Sequence, residues 1–188
     1  DLSDQLLTAI PAGGFDACPY TAATVLFLQY NDITTVGARA FARLAALTHL
    51  YLHRNAITWM AATSLDGLTR LRELYLFSNA ITWMAPNSLG GLTRLKYLYL
   101  DNNRLGAFDY GALAPMAALR YLYLMSQQGG DLSCGGKDDY FNDAAGIAAA
   151  VAACPLNPCP GGAVACPEPP GVMCTISGDD VTCAGGYT

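Results

Sequence analysis

The feature that most constrains this chain is a phrase, Leu-x-Leu-x-x-Asn-x-Ile, that returns at a fixed interval. It reads LFLQYNDI at 26–33, LYLHRNAI at 50–57, LYLFSNAI at 74–81 and LYLDNNRL at 98–105, and a broken copy, LYLMSQQG, starts at Leu122. Asn31, Asn55, Asn79 and Asn103 therefore follow one another at steps of 24 residues. The alternating leucines are the period-two signature of a half-buried strand. A single strand and turn of this length cannot bury its own apolar side, so successive copies must stack and share one core. The asparagine falls where the chain turns inward after the strand. Backbone groups buried in such a turn need partners. An amide supplies both donors and an acceptor, so the asparagine column is read as structural.

The rest of each copy keeps the same register. Leu47, Leu71, Leu95 and Leu119 open the strands, and Val36, Met60, Met84 and Phe108 follow the asparagines. Phe41, Leu65, Leu89 and Leu113 come next, then Leu44, Leu68, Leu92 and Met116. This pattern resembles the extracellular type of leucine-rich repeat, LxxLxLxxNxIxxΦxxxxFxxL, with similarity to the variable lymphocyte receptors of jawless vertebrates. The resemblance implies an α/β solenoid with a parallel sheet on its concave face, an irregular convex side and a binding role. Five or six short strands are expected, centred near Leu28, Leu52, Leu76, Leu100 and Leu124, with a degenerate one near Leu2.

The ends depart from the repeat. At 1–22, LSDQLLTAIPAGGF aligns without gaps on LQYNDITTVGARAF, so this segment is a degenerate repeat or an N-terminal cap. Residue 1 then begins either in mid-array, the reading we favour, or in that degenerate repeat. Cys18 falls on the register of Leu44 and is read as an unpaired core residue; pairing with an upstream cysteine is the alternative. The solenoid proper spans 23–130. In 131–154, Phe141, Ala144, Ala145, Ala148 and Val151 recur at helical spacing, which predicts a capping helix over about 139–153, begun by Asp138 or Asp139.

The stretch 155–188 is rich in Pro, Gly and Cys. Six of the seven cysteines (Cys134, Cys154, Cys159, Cys166, Cys174 and Cys183) lie after residue 133. A tail with so little apolar material needs crosslinks, so three disulfides and an oxidising, extracellular compartment are expected. Cys134–Cys154 is the expected bridge across the helix, and the other four allow three connectivities. Zinc is disfavoured because no CxxC pair exists and both histidines, His49 and His53, lie in the repeats.

A net charge of −5 and a pI near 4.7 argue against nucleic acid as the main partner. No run is apolar for long enough to span a bilayer. No GxSxG, P-loop or HExxH motif and no Cys/His nucleophile pair appears, so neither catalysis nor a cofactor is expected. The chemistry sits instead in the residues between the strand leucines. Stacking the repeats turns these into columns: Val25, His49, Glu73, Tyr97, Tyr121; then Phe27, Tyr51, Tyr75, Tyr99, Tyr123; then Gln29, His53, Phe77, Asp101, Met125. The expected partner-binding set is Phe27, His49, Tyr51, His53, Glu73, Tyr75, Phe77, Tyr97, Tyr99, Asp101, Tyr121 and Tyr123. Tyrosine offers large area and a hydroxyl at low entropic cost, which suits a protein partner. Cross-strand packing is the plainer role for the same rings. Sugar rings on the tyrosine faces, or neighbouring subunits of an extracellular assembly, are the alternatives. A metal held by His49, His53 and Glu73 is disfavoured against polar residues of a binding face. Trp59 and Trp83, in the repeated ITWM, form a two-step column beside this face.

Overall fold

The computed structural model describes residues 1–85, 88–106, 108–128, 140–153, 174–177 and 180–183. Each Leu-x-Leu phrase opens with a three-residue strand: β2 (Val25–Phe27), β4 (His49–Tyr51), β6 (Glu73–Tyr75), β7 (Tyr97–Tyr99) and β8 (Tyr121–Tyr123). They pair in parallel and in chain order, with Leu26 on Leu50, Leu50 on Leu74, Leu74 on Leu98 and Leu98 on Leu122. This is the solenoid that the repeat predicts. One copy is one turn, and the strict register keeps the leucines of the paired strands on the inner side. Leu28, Leu52, Leu76, Leu100 and Leu124 are all fully buried, as are Leu47, Leu71 and Leu95.

The asparagines join three segments each. Asn55 donates from Nδ2 to the carbonyls of Leu28 (2.9 Å) and Leu52 (3.0 Å), and its Oδ1 accepts from the Ile33 N–H (3.1 Å). Asn79 repeats this with Leu52, Leu76 and the Ile57 N–H, each at 3.0 Å. Gln127 takes the same place in the broken copy, donating to Leu100 and Leu124 and accepting from Leu105. Just before each amide the chain turns through left-handed backbone. Tyr30, Arg54, Ser78, Asn102 and Ser126 all have φ between 53 and 58°. Side chains of these types rarely adopt that region, so the turn depends on the bonds around it.

The convex side is irregular apart from a 3₁₀ turn at Tyr110–Leu113 and a small parallel sheet that the sequence reading did not foresee. In it, β1 (Ala9–Ile10), β3 (Thr35–Val36) and β5 (Trp59–Met60) pair in that order. The first turn joins the array: Leu2 N–H donates to Phe27 O, and the Gln5 and Leu7 N–H groups both donate to Asn31 Oδ1. Cys18 is free, but only half-buried. It lines an apolar groove with Phe15, Tyr20, Leu26 and Leu44, because its turn is the outermost one described.

At the other end, β9 (Tyr140–Phe141) runs antiparallel to β8, and helix α1 (Ala144–Ala153) follows. The helix starts later than expected because residues 140–141 extend the sheet. Asp143, not Asp138 or Asp139, stands before it and accepts from the Gly146 N–H at 2.7 Å. Ile147 is buried against the repeat core, and Phe141, Ala150 and Val151 pack beside it. A hairpin of β10 (Cys174–Ser177) and β11 (Asp180–Cys183) sets Cys174 opposite Cys183. Cys134, Cys154, Cys159 and Cys166, and with them the expected Cys134–Cys154 bridge, lie outside the described residues. Among the described residues no helix is long and apolar enough to cross a membrane.

Asn79→Ala removes an amide serving three backbone groups and leaves them without partners. It is expected to cost about 2–4 kcal/mol in denaturant unfolding, comparable to the roughly 2–5 kcal/mol of Leu76→Ala in the core. An Asn79→Ala protein as stable as the wild type would show that the amide column is dispensable.

Candidate functional site

The strand alternation that buries the leucines sends the intervening residues to the concave face. Because the strands pair without slip, residues 24 apart come to lie side by side, as in Tyr51 beside Tyr75 and Tyr75 beside Tyr99. The middle column becomes a ladder of parallel rings. Ring centroids are 5.0 Å apart for Phe27–Tyr51, 4.5 Å for Tyr51–Tyr75, 4.6 Å for Tyr75–Tyr99 and 4.5 Å for Tyr99–Tyr123, with planes within 15° throughout. Tyr97 and Tyr121 stack the same way in the first column (4.7 Å, 2°), and His53 on Phe77 in the third (4.4 Å, 13°). All of the expected binding residues are thus brought onto one face.

The stacking has a consequence the sequence did not reveal. The flat faces of the inner rings lie against one another, so what they turn outward is ring edges and hydroxyls. Two of those hydroxyls are engaged on the face. Tyr75 donates to Glu73, and Tyr123 hydrogen-bonds to Tyr99. Burial, and then the bond to Glu73, push the Tyr75 phenol well above its ordinary range, which keeps it a neutral donor. Burial raises Tyr99 likewise.

The polar residues fall into two groups. In the first column, Thr48 Oγ1 lies 2.8 Å from His49 Nδ1, His49 Nε2 lies 3.4 Å from Glu73 Oε1, and Glu73 Oε2 takes the Tyr75 hydroxyl. In the third column His53 is enclosed by Tyr51, Tyr75 and Phe77, and desolvation followed by the nearby Arg54 charge lowers its pKa. Asp101 sits in the same column. Burial raises its carboxyl pKa despite a hydrogen bond from Asn102. His49 and His53 therefore stand in different columns, and His49 alone pairs with Glu73. Among the described residues no three His, Cys, Asp or Glu side chains cluster as a metal site.

Sequence reasoning missed the border of this face. Tyr30 lies edge-on to His53 (5.8 Å, 72°), and the Arg54 guanidinium sits 5.2 Å over the Tyr30 ring. The available signal was the left-handed turn column to which both belong. Trp59 is half-buried in β5 on the convex sheet, and Trp83, also half-buried, lies in no strand. Neither is on the concave strands.

The profile of the leucine rich repeat family matches residues 1–57, 21–81 and 69–128 of the chain. No protein of curated function matches it. Among solved structures it is similar to a chain of the TLR13–ssRNA13 complex, with 29% identity and a TM-score of 0.53 over 55% of this chain. That stretch spans 15% of the TLR13 chain.

Tyr75 stacks on both neighbours and bonds Glu73, so Tyr75→Ala is expected to cost about 1–3 kcal/mol in thermal or chemical unfolding, at roughly 0.5–1.5 kcal/mol for each aromatic pair. Tyr75→Phe keeps both stacks and should remain close to wild type. Equal losses for the two would place the stability in the hydroxyl bond instead. A second expectation concerns pH. The Asp101 carboxyl has a raised pKa when folded, so the unfolded chain ionises first and charging the group opposes folding as pH rises through the folded value. Asp101→Asn should therefore melt higher than wild type at neutral pH, and the gap should close as pH falls below about 4. A constant gap across that range would remove the carboxyl as its source.

Proposed function

The chain belongs to the leucine-rich repeat family, whose solenoids serve as interaction modules, and from that premise we propose that it is an extracellular recognition module that binds a protein partner through its concave face. The observation that carries the reading is the face itself. It is a continuous array of half-buried aromatic edges, hydroxyls and two carboxylates, with no lysine or arginine in its three columns. Edges and hydroxyls suit a protein surface, where side chains and backbone amides can meet them. Large central aromatics concentrate interface energy. No chemistry on this face requires catalysis.

The stacked ladder argues against the two other ligand classes for this surface. Sugars and nucleobases lie flat on exposed ring faces, and here the inner ring faces are occupied by neighbouring rings. The TLR13 chain is in complex with single-stranded RNA, but the similarity carries the fold, and carboxylates at Glu73 and Asp101 repel phosphate. The compartment follows from the cysteines: six of them in the last third suit an oxidising environment. Mass spectrometry of unreduced peptides from the secreted chain should find three bridges; six free thiols would overturn the extracellular reading.

The binding test separates recognition from packing. Tyr51→Phe, Tyr75→Phe and Tyr99→Phe together keep the ladder and remove its hydroxyl row. A partner isolated on the wild-type chain should bind this variant at least tenfold more weakly by calorimetry, with an unchanged melting temperature. Tyr97→Ala and Tyr121→Ala should each cost about 2 kcal/mol of affinity. Undiminished binding by all of them would move the interface off this face. Light scattering covers the structural-subunit alternative: a monodisperse monomer is expected, and self-association would favour assembly.

A further inference from the structure

The chain carries ten Lys and Arg in a protein of net charge −5, and they are not spread evenly. Five of them, Arg70, Arg72, Arg94, Lys96 and Arg120, lie in the segments that lead into β6, β7 and β8, and all five are exposed. The backbone fixes their alignment. The Arg72 N–H donates to Thr48 O (2.8 Å), the Lys96 N–H to Arg72 O (2.8 Å) and the Arg120 N–H to Lys96 O (3.0 Å). Arg72, Lys96 and Arg120 are thus successive members of one row, stepped by the inter-strand spacing of about 4.8 Å. Arg70 and Arg94 form a second, shorter row one buried leucine earlier, before Leu71 and Leu95. Arg120 is held in place by donating to the carbonyls of Ala117 (3.2 Å) and Leu119 (3.0 Å).

Among the described residues no carboxylate pairs with these five cations. The one ion pair found among the described residues is His49–Glu73, and the Glu73 oxygens already face His49 and Tyr75. Like charges held this close repel one another, so the row is stabilised by any ligand that brings negative charge at similar spacing. The chain's overall acidity does not prevent this, because charges farther away than about 8–10 Å are screened at physiological salt.

We propose that this basic edge is a binding site for a linear sulfated polysaccharide, distinct from the concave face and independent of what that face binds. A flexible polyanion lying across the repeats would meet one or two cations at each of these three turns. The site reads charge and spacing only. It offers no open aromatic face for base stacking, since the neighbouring rings are stacked on each other, and this favours a sulfated glycan over single-stranded nucleic acid.

Binding of heparin to the full chain, followed by calorimetry or surface plasmon resonance from about 50 to 200 mM salt, tests this. Five contacts at about 0.7 counterions each predict a roughly 100-fold loss of affinity over that range. The variant Arg72→Gln/Lys96→Gln/Arg120→Gln should bind more weakly and lose only about 7-fold over the same range, with two contacts left. Arg43→Gln/Arg104→Gln, which removes exposed charges outside the rows, should behave as wild type. Melting temperatures of both variants should match the wild type, because none of these side chains is in the core. Absence of heparin binding at 50 mM salt, or equal losses in the two variants, would overturn the proposal. So would tighter binding of a single-stranded homopolymer RNA or of polyglutamate than of heparin.

Discussion

The structure depends on how each turn disposes of the backbone groups left at the end of its strand. Turning every 24 residues buries N–H and C=O groups that helices and sheets would otherwise pair. The amide at 31, 55, 79 and 103 donates to carbonyls of its own turn and its neighbour and accepts from the neighbour one N–H, or two at Asn31. Because each amide reaches across to the adjacent turn, one repeat cannot satisfy itself. Stacking is therefore enforced by hydrogen bonding as well as by the leucine core. Gln127 shows that the requirement is chemical and not tied to one residue. With one more methylene it still reaches Leu100, Leu124 and Leu105.

The same in-register stacking creates the aromatic ladder. Rings 4.5–4.6 Å apart and nearly parallel, as in Tyr51, Tyr75, Tyr99 and Tyr123, stabilise the sheet they stand on. Their faces are used up in doing so. In the proposed binding role, packing decides which part of each ring remains for a partner.

Much of the fold was legible because its determinants repeat. Leu28, Leu52, Leu76 and Leu100, and the asparagines between them, announce strand, core and turn at a constant step. The columns of the concave face followed from that step alone. What could not be read was anything that depends on geometry between columns: the parallel stacking of rings, the Tyr75 bond to Glu73, and Arg54 over Tyr30. The convex sheet at Ala9–Ile10, Thr35–Val36 and Trp59–Met60 is only two residues deep per strand, too short for strand alternation to show. The late start of the cap helix was hidden for a different reason. Alanine favours helix throughout that segment, but the backbone at 140–141 pairs with β8 instead.

In a solenoid a position that repeats its residue is held by a demand every turn shares, whereas a position that changes answers to something outside the array. The middle column is aromatic from Phe27 to Tyr123, so the sheet itself accounts for its composition. The flanking columns do not repeat: Val25, His49, Glu73, Tyr97 and Tyr121 on one side, Gln29, His53, Phe77, Asp101 and Met125 on the other. Packing gives no reason to place Asp101 where burial raises its carboxyl pKa, or Glu73 between His49 and Tyr75. The charged Asp101 carboxylate costs stability in the isolated chain, whereas Glu73 is already engaged by His49 and the Tyr75 hydroxyl. In the proposed recognition role the outer columns carry the specificity, and the uniform ladder between them holds those few residues apart at fixed distances.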